Sequence, residues 1–259
     1  MKKFKFLFLV PAIFSMVACG LGKEINADKA KEIAKGMKDV KQPDNYEASL
    51  TMTSYDADDK STTSANYSIK KNADGELYAA MKTETKGGDD DFAMDVEVYY
   101  VKDAKYDEVV YMKDNSAEDE EDKINVVVKK GNELEFNAAF GEIQSEIASF
   151  SVYMTNADSL EEAIESAELE AKANENIEVK YYSNGSQNLT IKETVKESDD
   201  EIGMSGESTI TFDKGLLQST ETKMTSKDGD RMELKLTMKY PSSVKISLPS
   251  GWESHIRQA

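Results

Sequence analysis

Two periods of hydrophobic and polar residues alternate along this 259-residue chain, and they divide it into strand and helix territory. Tyr46, Ala48, Leu50 and Met52 alternate with Glu47, Ser49, Thr51 and Thr53, which describes a strand with one dry and one wet face. The same period of two recurs at Tyr67 and Ile69, at Leu77, Ala79 and Met81, and through Phe92, Met94, Val96, Val98 and Tyr100. It continues at Val109 and Tyr111 and at Ile124, Val126 and Val128. After a gap it returns at Ile177, Val179 and Tyr181, at Leu189 and Ile191, at Met204, Ile210 and Phe212, and in a last hairpin that ends on Met232, Leu234, Leu236, Met238 and Tyr240. Asn72-Ala73-Asp74-Gly75, Asn184-Gly185, Asp213-Lys214-Gly215 and Asp228-Gly229 supply turns between them. Short polar connections between consecutive strands predict an antiparallel meander.

The other period is helical. Ala30, Ile33, Ala34 and Met37 form one stripe behind Asn26 as N-cap, with Pro43 marking the end region. Phe140, Ile143, Ile147 and Phe150 form a second stripe, and Leu160, Ala163, Ile164, Ala167 and Ala171 a third, preceded by the acidic capping pair Asp158 and Glu161. The expected fold is α+β: one large curved antiparallel sheet of ten or eleven strands, with an N-terminal helix and a helical insertion. Only four prolines occur and no linker composition interrupts the chain, so residues 27–259 are expected to form one domain.

The first eighteen residues do not belong to that domain. Lys2, Lys3 and Lys5 precede an apolar run over residues 6–18 that ends on small side chains, the pattern of a secretory signal. The run is too short to cross a hydrocarbon core of about 30 Å as a helix. Met16-Val17-Ala18-Cys19-Gly20 then resembles the lipobox of bacterial lipoproteins, with Met16 where that family usually has Leu. The resemblance implies cleavage before Cys19 and a diacylglyceryl group on its sulfur. Cys19 is the only cysteine, and an unpaired thiol in an exported chain is accounted for if it carries lipid. Two acyl chains anchor stably where one does not. Residues 19–26 are thus expected to be the lipidated cysteine and a tether, its seven residues after Cys19 reaching about 25 Å. The expected location is the extracytoplasmic face of a cell membrane.

Charge narrows the partners. The formal net charge of −18 becomes −21 once the three leader lysines are removed. Such a body is repelled by nucleic acid and by anionic head groups, so neither a nucleic-acid partner nor docking through a basic patch is expected. The acidic runs Asp89-Asp90-Asp91, residues 118–122 and Asp199-Asp200-Glu201 lack EF-hand spacing and read as solvated loops that keep sheet edges from pairing. His255 is the single histidine and lies near the C-terminus, so no Ser-His-Asp set and no zinc site has its parts. No phosphate or dinucleotide loop follows a strand. We expect no enzymatic activity, no cofactor, no metal and a monomer.

The methionines are the remaining signal. Met52, Met81, Met94, Met204, Met224, Met232 and Met238 fall in strand territory, where branched residues pack better, and methionine adapts to irregular apolar shapes. Singly each reads as core; together they suggest the lining of a sheet face open to an acyl chain. The order of lipobox, tether, helix, long strands, helical insertion, strands and Thr211-Phe212-Asp213-Lys214-Gly215-Leu216 before a final hairpin resembles the LolA and LolB lipoprotein carriers and the LppX-type lipid-binding lipoproteins. That resemblance implies an incomplete β-barrel lidded by helices, with a lipid or an acylated protein on its concave face. The alternative from another class is an envelope sensor or protein-interaction module whose sheet is filled.

Overall fold

The computed structural model describes residues 22–38, 40–41, 43–56, 59–72, 74, 76–87, 94–119, 123–152, 160–196 and 203–256. Cys19 with its leader, Phe92 and Asp158 lie outside these residues, as do the side chains of Ile147 and Phe150. The elements in chain order are β1 (Lys23–Ile25), α1 (Ala27–Met37), β2 (Asn45–Asp56), β3 (Asp59–Lys71), β4 (Leu77–Lys86), β5 (Asp95–Asp103), β6 (Asp107–Asp114) and β7 (Ile124–Val128). There follow α2 (Glu133–Val152), α3 (Leu160–Ala173), β8 (Ile177–Gly185), β9 (Asn188–Val195), β10 (Ser205–Asp213), β11 (Leu216–Thr225), β12 (Arg231–Lys239) and a short 3-10 helix over Trp252–His255.

The strands form one sheet ordered β1-β8-β9-β10-β11-β12-β2-β3-β4-β5-β6-β7, which does not close on itself. Eleven of these strands are those the alternation predicts, and β1 is the twelfth. Two compact units divide the chain. The first holds the described residues up to 40 and 160–235, and the second holds 41–152 and 236–256.

In the first unit Asn26 caps α1, its side-chain oxygen accepting from Lys29 N at 2.9 Å. Ala30, Ile33, Ala34 and Met37 are buried as their spacing requires, and α1 packs on α3, β8 and β9. Leu160 and Ile164 are the buried stripe of α3. The β10–β11 turn has Lys214 at φ 52 and Gly215 at φ 75, both left-handed, which is the twist a two-residue hairpin needs.

In the second unit β2 to β7 form a meander in which each strand pairs antiparallel with the next. Its outer strands carry consecutive apolar residues, Val109-Val110-Tyr111 and Val126-Val127-Val128, because both faces are covered there. On one face Tyr100 packs on Phe140 of α2 at 4.6 Å between ring centroids, and Phe140 stacks on Phe136. On the other, Val101, Val109, Tyr111, Val126 and Val128 are covered by Ile246, Leu248, Trp252 and Ile256 of the C-terminal segment. Ile256 makes a parallel bridge with Val126, and Trp252 meets Tyr106 edge to face. His255 is exposed on this segment.

A buried ionic cluster ends the α2-covered face. Glu108 accepts from Lys129 Nζ at 2.9 Å and Lys102 Nζ at 3.0 Å. Burial pushes the Glu108 carboxyl up, but hydrogen bonds from Lys129, Lys102 and Tyr100 outweigh it and leave it below the usual carboxylate range. A carboxyl lowered on folding contributes stability above its unfolded value, and that stability is lost as pH falls through the folded value. Glu108→Ala, which removes the carboxylate shared by Lys129 and Lys102 and leaves Lys102 with Glu76, is expected to cost about 1–2 kcal/mol at pH 7 in urea denaturation, and less below pH 4.

Candidate ligand-binding face

Register decides which side chains share a face. In the second unit Met52 pairs with Thr63, Leu50 with Ala65 and Ala48 with Tyr67. Across the next ladder Thr63 pairs with Thr85, Ala65 with Thr83 and Tyr67 with Met81. Thr83 then faces Val96, Met81 faces Val98, and Val98 faces Met112. Thr85 N donates to Met94 O at 2.7 Å, which puts Met94 in the row of Met52 and Thr63.

Four rows follow on one face. The row of Tyr46, Ile69, Ala79, Tyr100, Val110 and Val127 is the core end, where all but the half-buried Tyr46 are buried. The second row holds Ala48, Tyr67 and Met81, all buried, then the half-buried Val98 and Met112. In the last two rows the middle strands β3 and β4 carry only Ala65, Thr83, Thr63 and Thr85. Larger apolar side chains flank them, Leu50 and Met52 on β2 and Val96 and Met94 on the β5 side. Met52 is 37% exposed and Met94 43%. By register these rows set small residues between larger apolar ones, a trough that runs into the core at Tyr67 and Met81; Ala65 is itself buried and Thr63, Thr83 and Thr85 are half-buried.

Its floor carries three threonines, and the Thr63 and Thr85 hydroxyls bond each other at 3.0 Å, which engages one donor and one acceptor of the pair. At the core end burial raises the Tyr46 phenol, and burial followed by neighbouring Tyr46 pushes Tyr240 up to about 12. No charged side chain stands in the two trough rows from β2 to β4. Over β2 to β4 this surface is uncharged and flanked by apolar side chains, while its third row continues through Val96 to Asp114 on β6.

Strand register places three of the seven methionines expected to line a ligand face on one face of the second unit. Met52, Met81 and Met94 share the trough face, Met81 buried at its inner end. Met238 is buried in the same unit, and Met204, Met224 and Met232 are half-buried residues of the other unit, with Met224 opposite Gly206. Sequence reasoning missed Leu50, Val96, Val98 and Met112 as walls and Ala65 and Thr83 as floor. Their signal was present as small residues at matching positions of β3 and β4, but it needs the register to be seen.

In the first unit one sheet face is polar at its middle. Glu193 pairs with Val179 and Ser208, and Ser208 with Thr222. Ser208 Oγ and Thr220 Oγ1 are buried with no protein partner. Tyr181 OH donates to Glu168 on α3 at 3.0 Å. Burial, then the nearby Glu170 of α3, pushes the Glu193 carboxyl up to about 7. Among the described residues no group of three His, Cys, Asp or Glu side chains is placed to hold a metal ion, and no helix is long and apolar enough to cross a membrane.

No family model matches the chain, and no curated protein matches its sequence. Among solved structures it is similar to LprF from Mycobacterium bovis, at 11% identity over 87% of this chain and 97% of that one, with a TM-score of 0.32. It is also similar to a DUF1329 family protein from Desulfovibrio piger, at 10% identity over 85% and 95% of the two chains, with a TM-score of 0.28. A third is an outer membrane lipoprotein-sorting protein domain from Vibrio parahaemolyticus, at 10% identity over 85% and 95%, with a TM-score of 0.25.

The raised Glu193 carboxyl has a measurable consequence. A carboxyl raised on folding contributes stability below its unfolded value, and that stability is lost as pH rises through the folded value near 7. Glu193→Gln is expected to stabilise the protein by about 2 kcal/mol at pH 8 and to be near neutral at pH 5, read from urea midpoints.

Proposed function

We propose that this chain is an exported, lipid-anchored envelope protein that holds an acyl chain, of a lipid or of an acylated protein, in the trough across β2 to β5, and catalyses no reaction. The observation that carries the reading is the trough itself: Ala65, Thr83, Thr63 and Thr85 as floor, Leu50, Met52, Val96 and Met94 as walls, and two of those walls left more than a third exposed. Exposed methionines beside small residues are an adaptable apolar surface, which an alkyl chain fills without asking for hydrogen bonds. Each methylene withdrawn from water contributes about 0.8 kcal/mol, so about ten must be buried to match the roughly 8 kcal/mol of micromolar binding, and more once the cost of ordering the chain is included.

Export and anchoring are supported by the three lysines and apolar run of the leader and by Cys19 in its lipobox-like setting. They bring the body to a surface where acyl chains are at hand. The absence of catalysis is supported by the side chains available: the one histidine is exposed on the C-terminal segment, and the one cysteine is assigned to lipid.

The test uses the body lacking residues 1–21. Organic extraction followed by mass spectrometry is expected to yield a co-purified lipid, and the emptied protein to take up a fluorescent fatty acid. Ala65→Phe, which raises the floor, is expected to weaken uptake at least about tenfold through lost chain contact. Thr62→Phe, on the opposite face of the same strand, is expected to leave it unchanged. A wild-type body that takes up no fatty acid, or an Ala65→Phe variant that binds as well as wild type, refutes the reading.

A further inference from the structure

The expected tether does not survive in the structure, and its loss orients the first unit. Residues 23–25, assigned to a free tether by the sequence, are β1, zipped antiparallel onto the edge of β8 with Lys23 opposite Ser183, Glu24 opposite Tyr182 and Ile25 opposite Tyr181. Gly22, immediately before, has φ +82, and a Cβ there would stand 2.4 Å from the Ser183 carbonyl carbon, so only glycine lets the chain approach so closely. The chain therefore leaves the fold at the β8–β9 hairpin. Three peptide steps separate Gly22 from Cys19, a reach of about 11 Å instead of about 25 Å.

The surface at that exit differs from the rest of the molecule. In a chain of net charge −18, residues 181–190 hold no charged side chain. The hairpin is tied to its neighbours: Gly185 N donates to Ser183 Oγ at 3.2 Å, and Gly215 N donates to Gln187 O at 3.0 Å, which draws in the β10–β11 turn with the exposed Lys214. The end of α1 runs alongside, Gly36 next to Ser186 O and the Val40 side chain against Gly215, with the exposed Lys38 between them in sequence. Lys23, Lys38 and Lys214 thus ring the hairpin end, with Glu24 and Asp213 as the acids, and Asp213 is engaged by Asn188. A cleft of about 200 Å³ opens in its middle, with Tyr182, Asn188, Thr190, Thr211, Phe212 and the charged Asp213 among its lining. The other end of these strands carries Lys227, Asp228, Asp230 and Arg231 in the β11–β12 turn, a β11 length of about 30 Å away.

We propose that the β8–β9 hairpin end of the first unit, with Lys23, Lys38 and Lys214 around it, is the face that lies on the phospholipid head groups. The proposal rests on lipidation of Cys19. Length and charge act in the same direction. A tether of about 11 Å restricts tumbling of the body, and an end with Lys23, Lys38 and Lys214 against Glu24 and Asp213 is one that an anionic head-group layer does not repel.

The test uses full-length lipidated protein in vesicles of phosphatidylethanolamine and phosphatidylglycerol, with nitroxide on the head groups as quencher. Ser186→Cys and Asp228→Cys variants each carry one fluorescent label, Cys19 being blocked by its lipid. Quenching is expected to be several-fold stronger at position 186 than at 228, and a Gly/Ser insertion of about twenty residues after Leu21 is expected to abolish the difference by freeing the body. Equal quenching without the insertion, or stronger quenching at 228, with the diacylglyceryl mass present on Cys19, overturns the orientation alone. Absence of that mass overturns the anchor and the orientation together. Fatty-acid uptake by the unanchored body is independent of either result.

Discussion

The register of β3 against β4 is the constraint on which the candidate site depends. It sets Ala65 beside Thr83 and Thr63 beside Thr85, so that four small residues meet in two adjacent rows. A slip of one residue would turn those rows to the opposite face and bring Ser64, Glu84, Asn66 and Lys82 into their place. The register is held at the other end of the same strands, where Ile69, Tyr67, Ala79 and Met81 are buried and cannot be exchanged for their polar neighbours. Core burial at one end of the meander thus specifies which side chains share a face at the other, where Met52 and Met94 are exposed.

The same meander shows how a fold can be closed on one part and open on another. Over β5 to β7 the C-terminal segment covers one face and α2 the other, and the strands there carry apolar residues in succession. Over β2 to β4 the alternation remains, as one face remains wet. The Lys102-Glu108-Lys129 cluster closes the covered end with charge that is fully paired. Its counterpart in the first unit, Glu193 beside Ser208 and Thr222, is buried without an opposite charge, and its carboxyl rises where that of Glu108 falls. Two buried glutamates in one sheet therefore respond to pH in opposite senses, for reasons visible in their neighbours.

Much of the architecture was legible in the residues alone. The alternation beginning at Tyr46, the stripe of Ala30, Ile33, Ala34 and Met37, and the Asp213-Lys214-Gly215 turn each fixed a local conformation, because burial at a period of two or 3.6 and a positive φ are local demands. The leader and the setting of Cys19 were likewise matters of sequence. The short strand β1 was not, since Lys23-Glu24-Ile25 has no periodicity of its own and becomes a strand only by pairing with β8. Nor was the grouping of the methionines: seven residues of one type in strand territory could be counted, but only cross-strand pairing assigned Met52, Met81 and Met94 to one face. Sequence determined which segments could be strands and helices, because those demands act between near neighbours along the chain. Tertiary structure decided which side chains face one another and where the chain leaves the fold, because register and edge pairing join residues whose separation in sequence carries no information about their contact.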